Sequence, residues 1–118
     1  MKRILVLVSL LLVSLSLPLS AAAVEGHLVG VKRSARIMKE EAEAAEAHTK
    51  DCALAPDCKS SGYGIVTSDG KFYKFDDDGD RMAADFLVVA VHRDNDISVV
   101  VNGSVKGDKI TVVAIQLN

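Results

Sequence analysis

The 118-residue chain carries 14 basic and 16 acidic side chains, a net charge of −2, with two cysteines, five aromatic residues and no tryptophan. That balance lacks the basic stripe of a nucleic-acid surface, and so few aromatics offer little platform for base stacking. The length suits one domain.

Lys2 and Arg3 precede an apolar run, Ile4–Leu17, interrupted only by serines; Pro18 and Ser20 follow, then Ala21-Ala22-Ala23. This is the charged, apolar and small-residue order of a secretory signal peptide. We place cleavage after Ala23. The apolar run is short for a membrane span, so no stable span is expected after cleavage. The expected organisation is a signal peptide at 1–23 and a single domain at 24–118. Removal of 1–23 takes two of the 14 basic residues and none of the 16 acidic ones, shifting the net charge from −2 to −4.

His27–Arg33 is a short strand candidate with apolar Leu28, Val29 and Val31. Ser34 is placed to cap a helix over Ala35–His48, whose residues are all helix-compatible. Its apolar content is mostly alanine, so it should lie on the surface, packed by Ile37 and Met38 near its start. Glu40, Glu41, Glu43 and Glu46 read as a solvated face rather than a cation site. Pro56 and Ser60-Ser61-Gly62 mark Asp51–Gly62 as a loop. It contains both cysteines, Cys52 and Cys58, and in an exported small domain a single pair implies a disulfide. Five residues separate them, against two in the usual redox motif. A metal site using His48, Cys52 and Cys58 would lack a fourth ligand at a recognised spacing.

Tyr63–Thr67 and Lys71–Phe75 flank Asp69-Gly70, a hairpin signal, and Tyr63, Phe72, Tyr73 and Phe75 are expected in packing. Asp76, Asp78 and Asp80 alternate as at the start of a calcium loop. The match ends there: Arg81 stands where glycine is needed and Leu87 where a bidentate glutamate is needed. The alternative is a turn in which Asp78 or Asp80 caps the next helix. That helix is expected from Arg81 to about Val89, although Leu87–Arg93 also has strand character. Arg93–Asp96 is a polar loop, with His92 at the surface. Finally, Ile97–Leu117 is rich in residues branched at Cβ and reads as a long hairpin. Its turn is expected at Lys106–Lys109, leaving Gly103 inside a strand as a bulge or bend.

The sum is mainly β with helices: a small five-stranded OB-like barrel with an inserted N-terminal helix and a disulfide loop. Three stretches resemble small secreted bacterial OB-fold-like proteins of unknown function. They are the Cys52–Cys58 loop running into GYGIVTSDGKFYKFD, the DDGDRMAADFL turn and helix, and VVVNGSVKGDKITVVAIQL, together covering about residues 48–118. Relatives often carry a further cysteine after the first strand, where this chain has VKRSARIM. The shared motifs are structural, and the resemblance implies a fold and export, not an activity.

There is no G-x-S-x-G or H-E-x-x-H motif, no cofactor motif, and His27, His48 and His92 lie in separate segments. The expectation is therefore a periplasmic or extracellular module, not an enzyme, that binds an unidentified envelope or extracellular ligand and no nucleic acid. The alternatives are a weak calcium-binding protein using Asp76, Asp78 and Asp80, and a thiol-redox or metal-thiolate protein using Cys52 and Cys58.

Overall fold

In the computed structural model, residues 21–40 and 42–118 are described. The ten elements follow one another as β1 (Ala21–Gly30), α1 (Val31–Glu40), α2 (Ala42–Ala47), α3 (Lys50–Ala53), α4 (Pro56–Ser61), β2 (Tyr63–Val66), β3 (Phe72–Phe75), α5 (Asp77–Val89), β4 (Ser98–Lys106) and β5 (Lys109–Leu117). Most of the expected signal peptide, residues 1–20, lies outside the described residues. Ala21–Ala23 form the first pairs of β1, opposite Ser104, Gly103 and Asn102.

The five strands make one mixed sheet in the order β1-β2-β3-β5-β4, and β4 returns to pair with β1, so the sheet closes on itself. All pairings are antiparallel except β3 with β5. Both expected hairpins are present. In the longer one Gly107 takes φ +63 at the turn, a left-handed value that favours glycine. The register shifts between Asn102 and Gly103, as a bulge at this glycine requires. A Cβ at Gly103 would lie 2.2 Å from the Thr111 carbonyl oxygen, so no larger residue fits there.

The core fills the inside of this sheet. Val99, Val101, Ile110 and Val112 point inward from β4 and β5, while Val113 is exposed, which is the alternation of a strand with one buried face. Leu28, Ile65, Phe75 and Ile97 join them, and α5 adds Ala83 and Leu87. Helix α5 runs to Val89, which settles Leu87–Val89 as helix. A smaller cluster of Val29, Ile37, Ala45 and Val66 lies beneath α1 and α2.

The first half of the chain departs from expectation. Val31–Arg33 do not continue the first strand; they begin α1. Gly30 packs on Cys58, where a Cβ would lie 2.5 Å from Sγ, and the Val31 N–H donates to the Gly62 carbonyl at 2.9 Å. Those contacts end the strand early. Ser34 is therefore inside the helix, its hydroxyl donating to the Val31 carbonyl. Glu41 falls outside the described residues, as do the side chains of Glu40 and Glu43; Glu46 is exposed.

Asp51–Gly62 is not an open loop. Thr49 caps α3 by accepting the Cys52 N–H at 3.0 Å, and Pro56 opens α4, where its missing N–H costs nothing. This arrangement also overturns the expected disulfide. Cys52 and Cys58 are unpaired thiols, because two short helices on either side of Pro56 turn them to different surroundings. Cys58 is buried against Gly30, and Cys52 faces a cavity beside His48.

The helix cap also differs: Asp76, not Asp78 or Asp80, caps α5. One oxygen, Oδ1, accepts the Gly79 N–H at 3.1 Å and the Val112 N–H at 3.0 Å. Asp76→Ala leaves both donors without their carboxylate acceptor, and the expected loss is about 2–3 kcal/mol of unfolding free energy. Asp76→Asn, which keeps an acceptor at the same position, should lose less than half of that. Urea unfolding of the two variants beside the parent checks the difference.

Candidate functional site

Two groups of polar side chains stand apart from the general surface. The first is the aspartate stretch, and the structure sends its carboxylates in three directions. Asp76 is the helix cap. Asp78 is exposed and pairs with Arg81 one turn along α5. Asp80 points back to the start of β2: Oδ1 accepts the Tyr63 N–H at 2.8 Å, and Oδ2 lies 3.9 Å from Lys74 Nζ. Burial pushes the Asp80 carboxyl above its ordinary value, against the opposing pull of the Tyr63 N–H and Lys74. Gly62, at φ +89, passes over this carboxylate with no room for a side chain. Among the described residues, no three histidine, cysteine, aspartate or glutamate side chains converge as a metal site. Asp76 and Asp80 thus join elements of the fold to one another, and Asp78 pairs within its own helix.

The second group lies in the long connection from β1 to β2. A cavity of about 200 Å³ opens between α1, α2 and α3, lined by Arg33, Arg36, Ile37, Ala44, Ala47, His48 and Cys52. The spacing that builds it is helical. Arg33, Arg36 and Ile37 stand three and four residues apart, so they share one face of α1. Ile37 turns inward to the small apolar cluster, while the two exposed arginines border the opening.

His48 is 8% exposed, the one polar side chain among the buried described residues. Its Nε2 accepts the Gly30 N–H at 3.4 Å. Burial first, and the Arg33 charge second, push the His48 imidazole below its ordinary value. The ring is therefore neutral near pH 7, and with Nε2 accepting, its proton sits on Nδ1. Burial raises the Cys58 thiol, against the opposing pull of the nearby Arg33 charge, so it stays protonated and inert near neutrality.

Of the candidates named from the sequence, His48 and Cys52 come together here, whereas Cys58 lies behind them against Gly30. His27 is elsewhere: its Nε2 is 2.7 Å from Asp96 Oδ1, and this hydrogen bond, helped by Arg93, holds the Asp96 carboxyl below its usual range. His92 is exposed, as expected. Arg33 and Arg36 are the residues that sequence reasoning missed. Their signal is the spacing with Ile37, which a strand over Val31–Arg33 conceals.

The lowered His48 value has a consequence for stability. An unfolded histidine titrates near pH ~6.5. Between that pH and the lower folded value, the unfolded chain binds more protons, so stability falls as pH drops. The raised Asp80 acts in the opposite sense, but only in the more acidic carboxylate range. Between pH 7 and 5.5 the melting temperature is expected to fall, and His48→Gln should flatten that slope. Scanning calorimetry at several pH values tests this; equal slopes in both proteins would contradict it.

Comparison of the chain with family models, with curated proteins and with solved structures finds no match.

Proposed function

We propose that the chain is an exported, non-catalytic binding module: an OB-like barrel whose ligand site lies in the helical connection between β1 and β2. The observation that carries this reading is the strand order. A closed β1-β2-β3-β5-β4 ring with a helix between β3 and β4 is what an OB-type barrel requires. Such barrels bind ligands on the face of strands 2 and 3, beside the β1–β2 and β4–β5 connections. Here the β4–β5 connection is only Gly107-Asp108. The β1–β2 connection spans residues 31–62 and holds four helices and the cavity with Arg33, Arg36 and His48. The larger structure, and the chemistry, are on the β1–β2 side.

Lys2-Arg3, the apolar Ile4–Leu17 and Ala21–Ala23 support export to the periplasm or the medium, where the partner would be an envelope or extracellular ligand. The acidic balance opposes nucleic acid as that partner. No helix among the described residues is long and apolar enough to cross a membrane.

Expression of the full chain in a bacterial host tests the reading. The expected product is released from the envelope fraction with Val24 as its first residue, seen by intact mass and N-terminal sequencing. Retention in the cytosol with Met1–Ala23 intact would overturn export. Turnover of ester, peptide or glycoside substrates by the purified protein, above that of a heat-unfolded control, would overturn the non-catalytic reading.

A further inference from the structure

The cavity between α1, α2 and α3 has a division of chemistry that points to one class of ligand. Ile37, Ala44 and Ala47 provide apolar wall, and Arg33 and Arg36 provide cationic groups at its border. Among the described lining residues there is no aspartate or glutamate. These described groups favour an anion over a cation.

His48 supplies the second, independent observation. The ring is more than nine-tenths buried, and only Nε2 has a protein partner among the described residues, the Gly30 N–H. The other nitrogen, Nδ1, carries the proton. It is not among the sealed, unpartnered polar atoms, of which the described residues have none. It must therefore reach solvent, and the cavity is the space that His48 lines. An N–H of a buried ring beside a cavity, with no acceptor among the described residues, is a donor awaiting one.

We infer that this cavity binds a small carboxylate with a short apolar tail, the oxygens taking N–H donors from Arg33 and His48 Nδ1 and the tail lying against Ile37, Ala44 and Ala47. The inference rests on the binding-module reading and names its ligand class. A guanidinium matches the two oxygens of a carboxylate with two parallel N–H groups. Arg33 is exposed at the border of the cavity and carries five N–H donors, enough to bind both oxygens. Phosphate would satisfy the same donors but leave the apolar wall without a partner. At about 200 Å³ the cavity is smaller than the pockets that hold drug-sized molecules, which begin at roughly 300 Å³. The ligand should therefore have only a few carbons.

Titration of the ¹⁵N-labelled purified protein with butyrate, followed by NMR, tests the site. Butyramide and inorganic phosphate serve as controls. Saturable shifts are expected in α1, the end of α2 and α3, with Kd on the order of 1 mM for so small a ligand. Butyramide should give none, and phosphate should bind more weakly than butyrate. Arg33→Gln should weaken butyrate binding by about tenfold or more. The Arg33 charge also acts on Cys58, so a second variant, Ala47→Leu, fills the cavity from an exposed position; it should abolish binding while leaving the rest of the spectrum unchanged. Equal shifts with butyramide, phosphate binding as tight as butyrate, or unchanged butyrate affinity in Ala47→Leu would each overturn the inference. Saturable shifts confined to β2 and β3 would overturn this site and leave the binding-module reading standing. Cytosolic retention or turnover would sink that reading without altering the titration.

Discussion

The ring of strands closes through its narrowest seam, and one carboxylate holds it. β3 and β5 share only two register pairs, Lys74 with Lys109 and Phe75 with Ile110. They are parallel, a pairing slightly weaker per residue that needs a long crossover between its strands. Asp76 stands where the seam would otherwise end. Its N–H donates to the Ile110 carbonyl at 3.1 Å, and its Oδ1 accepts the Val112 N–H, so the seam gains a rung made by a side chain. The same oxygen starts α5 through the Gly79 N–H. Closure of the sheet and the position of the crossover helix thus depend on a single group. Gly79 then lies against Val112, with no room for a Cβ, and Ala83 and Leu87 enter the core one and two turns further on.

A second constraint fixes the helical connection. Antiparallel neighbours can be joined by a few residues, yet residues 31–62 separate β1 from β2. The first two helices of this segment pack on the small cluster around Ile37 and Ala45, Ala53 and Leu54 reach the main core, and bonds at the segment's ends and edges fix its place. Gly30 packs on Cys58, and the Val31 N–H donates to Gly62. The Tyr63 hydroxyl donates to the Ala53 carbonyl at 2.6 Å; burial pushes this phenol up to about 12, so it remains a donor across the physiological range. On the far side, the Asp96 N–H donates to Glu46 and the Lys50 N–H to Asp94. The cavity walls are therefore held by the strands and by the 90–97 segment, which is how a site made of short helices keeps its shape.

What could be read from the sequence follows the range of the forces involved. Both hairpins were legible because their causes are local: alternating Cβ-branched and aromatic residues, with glycine at the turn. Gly103 as a bulge was legible for the same reason. The first half was not, because its causes are tertiary. Val31 begins a helix since Gly30 must meet Cys58, a residue 28 positions later. Pro56 reads as a breaker, and it does break a helix, but it also starts one. Spacing and compartment suggested that Cys52 and Cys58 pair; the Thr49 cap and Pro56 turn them apart. The aspartates resembled a cation loop, yet each is committed to a different partner: Gly79 and Val112, Arg81, or Tyr63. The arginine face is visible only once the helix begins three residues before Ser34.

The beginning of β1 bears on whether precursor and mature protein would share this structure. Ala21–Ala23 are the small-residue stretch of the proposed cleavage site and also the first three residues of the strand. Their partners, Ser104, Gly103 and Asn102, lie at the bulge, where β4 remains paired to β5 on its other edge. Alanines bury little apolar surface, so their loss removes pairing but little hydrophobic stabilisation. Val24, opposite Val101, packs against the main core and would head the mature strand. Cleavage would also take Lys2 and Arg3, making the protein more acidic around a cavity bordered by arginines. At physiological ionic strength charges beyond ~8 Å are largely screened. An anion at the cavity would then feel the nearby guanidinium groups far more than the net charge, and recognition would be decided by Arg33, His48 and the wall beside them.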